Sequence, residues 1–531
     1  MTKTVLVIGA GPAGLTAALE LLRRSGEHTP IVVEALDQVG GLARTVRHHG
    51  NRMDIGGHRF FSKVDWVMDW WRDILPVPAE MSTFVPVRDP SANLDAADAL
   101  AERAPEKSML LRPRLSRIYY LRRFFDYPIS LSVRTLRNLG PLRIVKTGVS
   151  YVRASLFPIR PEKNLEDFFI NRFGRQLYLT FFKDYTEKVW GVQCDQISPE
   201  WGAQRIKGLS ITRAIAHAIR KLMKGASGDV GQKGVETSLI EKFLYPKLGP
   251  GQMWETVADQ VASMGGRVLL STKLVRLTRS GERITGAVCE DTVTGERREF
   301  ACDAVISSMP LKDFALALDP PPPEPVLAIA TGLAYRDFIT VGVLLARLQP
   351  NAHVRRGFAN NMFPDTWIYV QESDVKVGRL QIFNNWSPAL VADRKRIWIG
   401  MEYFCNEGDD LWSRSEEELA KLAVDELARL DLAHAADVLD VRVLKVEKAY
   451  PAYFGAYDRF DALRDWLDGI ANLYPVGRNG MHRYNNQDHS MVSARLAVDC
   501  IVDPTLAKTA IWAVNVEQEY HEEAKPGSTS P

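Results

Sequence analysis

Cysteine is scarce in this chain and widely scattered. Cys194, Cys289, Cys302, Cys405 and Cys500 form no C-x-x-C pair. That spacing argues against a disulfide framework and against a thiolate metal site, and fits free thiols in a cytoplasmic protein. Long hydrophobic runs are missing too, since none approaches the ~18 residues of a membrane-spanning helix. The chain enters a strand by Val5, which leaves no room for a signal peptide. An excess of one charge is also lacking. The 67 Lys and Arg against 65 Asp and Glu give +2, which offers no argument for a nucleic-acid partner. No internal repeat occurs. What remains is a globular composition, 46% hydrophobic and 25% charged, with 531 residues enough for two or more domains.

The first 34 residues organise the rest. Val5-Leu6-Val7-Ile8 has the β-branched, apolar character of a buried parallel strand. Gly9-Ala10-Gly11-Pro12-Ala13-Gly14 follows, and Leu15 to Arg24 is built from good helix formers. A second apolar strand, Ile31-Val32-Val33, ends in Glu34, 20 residues after the last glycine. Gly9 permits a tight turn, Gly11 lets the backbone approach a pyrophosphate, and Gly14 lets helix and strand pack closely. The pyrophosphate would rest on the free N–H groups and positive end of the helix, beside Pro12 and Ala13 at its start. Glu34 would accept hydrogen bonds from a ribose. The alternative, a chance glycine-rich turn, does not explain both strands, the helix and the acid in register. Beyond Glu34, Gly40-Gly41-Leu42-Ala43-Arg44 is a second glycine pair. It resembles FAD proteins of the glutathione-reductase-like class, where the chain recrosses the flavin diphosphate. That resemblance implies FAD, with Gly41, Leu42 and Arg44 among its contacts.

Further along, Asp54-Ile55-Gly56-Gly57-His58 suits a backbone pressed against a flat ring, or equally a β-turn with a surface histidine. Val64 to Leu75 reads as an amphipathic helix with three packing tryptophans. Residues 76–113 read as an irregular, partly mobile excursion. Arg117 to Pro128 looks like an aromatic hairpin, and 133–224 like a helical insertion followed by a mobile glycine-rich loop at 226–233. Val341–Leu345, Trp367–Gln371, Leu380–Phe383 and Arg396–Tyr403 read as strands of a second sheet. The fold class is α/β: an FAD-binding Rossmann-type (glutathione-reductase-like) domain with a helical insertion and a mixed-sheet substrate domain. The expected boundaries are 1–80, 240–312 and 440–515 for a discontinuous FAD-binding domain. The hairpin and insertion take 110–235, the mixed sheet 313–439, and a polar tail 516–531.

Several segments together resemble the UDP-galactopyranose mutases, within the wider amine-oxidase and protoporphyrinogen-oxidase class. Tyr185-Thr186-Glu187-Lys188-Val189-Trp190 is similar to their Tyr-Thr-x-Lys-x-Trp segment, and Gly56-Gly57-His58 to their flavin-facing loop. Gly477-Arg478-Asn479-Gly480-Met481-His482-Arg483-Tyr484 resembles their C-terminal Gly-Arg-x-Gly-x-x-Arg-Tyr, with Asn486-Gln487-Asp488-His489-Ser490 after it. The resemblance implies that Val275, Arg478, Asn486, Gln487 and Ser490 touch FAD and that His58 supports the glycine loop. It implies two phosphate clamps, Arg205 and Arg379, and a pocket walled by Trp190, Tyr369, Tyr450 and Tyr484. Arginine suits the clamp because its planar fork binds phosphate bidentately and stays charged.

In that family reduced flavin acts through N5 on the sugar, and no net redox occurs. The expected function is therefore a mutase on a nucleotide-activated sugar, with NAD(P)H as a conceivable external reductant. The alternatives are an oxidoreductase or desaturase of the amine-oxidase type and a flavin-binding protein without chemistry. Two departures bear on the substrate. Ile129-Ser130-Leu131-Ser132 stands where many members hold uridine with Gln and Asn, and Trp386 stands where a tyrosine near the diphosphate is expected. These point away from UDP-galactose, toward another nucleotide sugar or a polyprenyl-phosphate sugar.

Overall fold

The computed structural model describes residues 2–82, 90–127, 129, 133–197, 199, 242–350 and 360–515. Its central sheet is parallel, in the order Leu473–Pro475, Ala304–Ser307, Lys3–Ile8, His28–Val33, Arg267–Leu269. These strands are short and apolar because both faces are covered. Val5, Leu6 and Val7 are fully buried. The helices Pro12–Arg24, Pro250–Ser263 and Gln487–Val502 pack together over them. After His28–Val33 the sheet is completed by strands from much later in the chain, Arg267–Leu269, Ala304–Ser307 and Leu473–Pro475. An antiparallel meander, Thr272–Ser280, Arg283–Asp291 and Arg297–Ala301, joins the same core.

The second sheet has seven strands, in the order Val438–Pro451, Tyr335–Leu345, Ile397–Cys405, Arg379–Ile382, Trp367–Val370, Ser116–Tyr120, Arg123–Asp126. Its outer face is closed by the helix Glu416–Arg429, whose Leu419, Ala423 and Leu427 are buried in the sheet's core. A reciprocal capping box at Ser415 and Glu418 starts that helix.

The structure moves several expected boundaries. The hairpin Ser116–Asp126 is part of the second sheet, pairing in parallel with Trp367–Val370. The strand Val438–Pro451, unread in the sequence, runs across the expected 439/440 break. The helices Leu311–Ala317 and Glu324–Gly332 bury Leu311, Phe314 and Ile329 in the nucleotide domain's core. Within 76–113, where an irregular excursion is expected, the described residues include the helix Pro90–Arg103 and a strand Met109–Pro113 paired with Lys242–Pro246. The run Ala96-Ala97-Asp98-Ala99-Leu100-Ala101-Glu102 is rich in strong helix formers, and propensity outweighs the flanking prolines. The insertion is helical from Val133 to Trp190, in five helices. Among the described residues, no helix is long and apolar enough to cross a membrane.

Candidate active site

One cavity of about 2110 Å³ runs between the two sheets. Its first arm is built by the glycine turn. Gly9 has a φ of +99°, and a Cβ there would lie 2.3 Å from Ser308 Oγ. A Cβ on Gly14 would lie 1.9 Å from the Gly9 carbonyl oxygen, so only glycine lets the helix sit this close to the strand. Gly11 faces Gly41, whose own Cβ would approach the Gly11 Cα to 3.2 Å. The two loops thus meet backbone to backbone, and both line the cavity. Glu34 stands at the far end, its carboxylate accepting from the N–H of Ala10 at 2.8 Å and of Leu36 at 3.0 Å. Pro12, Ala13, Leu42, Arg44 and Val275 also line this arm. Arg44 folds back to donate to the Gly41 carbonyl at 3.0 Å. The glycine loops, the helix start without a side-chain cap and the acid fit FAD.

Farther along lie Gly56, Gly57, His58, Arg478, Asn486, Gln487 and Ser490. Gly57 is pressed against Trp367, where a Cβ would come within 1.6 Å of the indole. His58 Nδ1 lies 3.0 Å from the Gly56 carbonyl, which pins the loop. Burial, with the nearby Arg478 charge, lowers the His58 pKa to about 4, so its ring is neutral near pH 7. Arg478 donates to the carbonyls of Asn485 and Ala449 and lies over the Tyr484 ring at 4.7 Å. Tyr450 and Tyr484 stack at 5.6 Å with an interplanar angle of 12°.

Arg379 stands in the opposite wall. Its Nε donates to the Tyr185 hydroxyl at 2.7 Å, and Nη1 lies 3.4 Å from Glu402. The guanidinium sits 5.5 Å from the Trp367 ring and 4.9 Å from that of Phe404. Glu402 is the cross-strand neighbour of Arg379 and is 0% exposed. Burial raises its pKa, while Arg379 and the amide of Gln381, at 2.7 Å, hold it down. Tyr369 stacks on Tyr127 at 4.6 Å and meets Tyr185 edge-on at 5.7 Å. Tyr185 owes its place to a helix, Lys183–Trp190, locked at its C-terminal end. Lys188 donates to the carbonyls of Glu372 and Val377, and Arg336 to that of Val189.

The structure brings most of the expected residues to this cavity, with three departures. Trp190 does not line it but is buried in the core that joins the helical lobe, with Phe168, Phe169 and Phe173, to Phe338 and Phe404 of the second sheet. Trp386 is 0% exposed and donates to the Thr366 carbonyl at 2.8 Å, so it is core rather than a substitute for a site tyrosine. Gly14 acts behind the cavity wall, as a packing residue. Arg205 lies outside the described residues, as do most of the Ile129–Ser132 segment and the glycine-rich loop. Trp367, Tyr185, Tyr127 and Arg59 line the cavity although sequence reasoning did not assign them. Trp367 was within reach of it, since residues two apart on a strand share a face and Tyr369 was already chosen.

Comparison with known proteins agrees with this architecture. A reduced UDP-galactopyranose mutase superposes with a TM-score of 0.72 at 20% identity, covering 96% of this chain and 97% of that one. A protein of Exiguobacterium sp. 255-15 named as a protoporphyrinogen oxidase gives 0.61 at 16% identity, covering 94% and 99%. Putrescine oxidase bound to putrescine gives 0.57 at 16% identity, again covering 94% and 99%. At these identities the likeness is one of fold. A Mycobacterium tuberculosis protein named as a flavin-containing monoamine oxidase, AofH, is 25% identical over 340 residues. That match spans 61% of this chain and 61% of the relative. The model of the flavin containing amine oxidoreductases matches residues 12–484, and with FAD the implied cofactor, the chain belongs to that family of flavoenzymes.

Proposed function

We propose that this flavoenzyme isomerises a phosphorylated sugar without net redox, in the manner of a UDP-galactopyranose mutase but on a different nucleotide-linked or lipid-linked sugar. The observation that carries this reading is the buried guanidinium of Arg379 in the cavity wall. Among the described residues the one carboxylate it pairs with, Glu402, is fully buried and is shared with Gln381. An ammonium substrate would have to place its charge beside Arg379, at a Coulombic cost that a low-dielectric wall magnifies. An anionic diphosphate gains from the same arrangement.

Bound in its reduced form, FAD would supply a nucleophilic nitrogen to the anomeric carbon. The protein's own groups do the rest. Arg379 holds the departing phosphate, with Tyr185 fixing the fork through its hydroxyl. Tyr127, Tyr369 and Trp367 form flat walls for a sugar ring. His58 fixes the Gly56 carbonyl and hence the loop beside the cofactor. Arg205 is the second clamp that the resemblance implies.

A second reading, an oxidase or desaturase, draws on the family itself and on the monoamine oxidase relative. One experiment separates the two. The purified protein is reduced anaerobically and incubated with a panel of nucleotide and polyprenyl-phosphate sugars, with oxidised protein as control. An equal-mass isomer formed only by the reduced protein is the expected result. Arg379→Ala should then lose roughly 100-fold or more in turnover while keeping its flavin spectrum. Oxygen uptake with an amine, and no isomer from any sugar, would replace the mutase by the oxidase.

A further inference from the structure

The helix Pro141–Leu156 carries two apolar faces, and the described residues cover only one. On the inner side Ile144, Thr147, Tyr151 and Ala154 meet the helices Leu165–Phe173 and Arg175–Phe181. The crossing is close at Gly174, where a Cβ would come within 2.8 Å of the Tyr151 backbone nitrogen. On the outer side Leu142, Val145, Val149, Val152 and Leu156 are 68%, 62%, 65%, 54% and 67% exposed. Their spacing alternates three and four, so at ~100° per residue they fall in one stripe opposite the packed face. Phe157, 76% exposed, and Ile159 extend the stripe past the helix end. No other helix among the described residues carries more than one exposed large apolar side chain.

The charge around this stripe is of one sign. From Val133 to Pro161 there is no Asp or Glu, while Arg134, Arg137, Arg143, Lys146, Arg153 and Arg160 are all basic. The whole chain is nearly neutral, at +2, so this run is a local concentration. Lys146 and Arg153 flank the stripe on the helix, with stems able to lie along apolar surface while their heads reach anions. We propose that this face docks on a membrane, its apolar stripe entering the interface of a bilayer whose anionic phospholipid headgroups pair with the flanking cations. A second copy of the chain is a poorer occupant, because its own acid-free helix would set like charges against each other. The inference stands independently of the reaction proposed above.

Vesicle co-sedimentation of the full-length protein tests it. Wild type should pellet with vesicles of phosphatidylcholine and phosphatidylglycerol, release at high salt, and ignore vesicles of phosphatidylcholine alone. Val145→Glu with Val149→Glu should lower the partition roughly tenfold or more. Both positions are exposed, so flavin absorbance and Tm should not change. Wild type that stays in the supernatant, or a double variant that pellets equally, overturns the proposal. So does a wild-type dimer in gel filtration that the double variant splits, which would make the face a self-interface.

Discussion

Gly57→Ala is the sharpest probe of how the site is held. The added methyl would lie 1.6, 2.3 and 2.6 Å from three atoms of the Trp367 six-membered ring. That ring cannot swing aside freely. Trp386 lies 6.0 Å from it, Tyr369 6.2 Å, and the guanidinium of Arg379 5.5 Å. Overpacking of this kind costs ~1–3 kcal/mol. For a large chain at about 2 °C per kcal/mol, Tm should fall by ~2–6 °C. Because the displaced loop also carries His58, flavin occupancy should fall with it, as read from the ratio of flavin to protein absorbance. Trp367→Leu removes the colliding atoms at its own cost in lost packing. In the double variant the alanine no longer collides, so the two losses should fall short of their sum by ~1–3 kcal/mol. Strictly additive losses, or a Gly57→Ala protein with wild-type Tm and flavin content, would show that loop and indole do not bear on each other.

Two buried ionisable groups should respond to pH in opposite senses. His482 is 0% exposed, lies 3.0 Å from the Ala452 carbonyl through Nε2, and has its pKa pushed down to about 4 by burial. The unfolded chain binds this proton more readily, so stability present above pH ~6.5 should be lost as pH falls toward 4, by up to ~3 kcal/mol. Replacing it with Gln should flatten the acid limb of Tm against pH, and an unchanged limb would contradict the assignment. Asp54 is 0% exposed, accepts from the Tyr245 and Thr45 hydroxyls, and has its pKa pushed up to about 7 by burial. Here the folded state holds the proton, so stability should decline as pH rises through 7. Asp54→Asn should therefore gain ~1 kcal/mol at pH 8 relative to pH 6, measured as the difference in Tm change between the two.

What could be read from sequence was local. The G-x-G-x-x-G turn and Glu34 lie within 26 residues of one another, and each needs only its own segment's geometry to acquire meaning. The Tyr-Thr-x-Lys-x-Trp segment shows where such reading stops. Tyr185 and Trp190 are five residues apart on one helix, about 140° around its axis. They cannot both face the cavity, and the apolar indole takes the buried side while the hydroxyl reaches Arg379. The sequence names both as aromatic and cannot rank them. Glu402 is a clearer case: its role exists only because two strands pair in the register that sets it opposite Arg379, 23 residues away.

That pairing also explains why a single arginine can tell an anion from a cation. A guanidinium alone in a dry wall would pay heavily for burial. Glu402 compensates it from behind, and the Gln381 amide donates to the same carboxylate. From the side, the Tyr185 hydroxyl accepts from Nε. The charge is therefore kept without a carboxylate of that pair facing the cavity, since Glu402 is 0% exposed and only Arg379 lines the wall. On the reading proposed above, a substrate would meet the positive end of this pair, pre-oriented by side chains from two strands and a helix. An ion pair held this way supplies little net stability. What it supplies is a fixed electrostatic direction, and a fixed direction is what the phosphate-bearing leaving group of the proposed reaction would need.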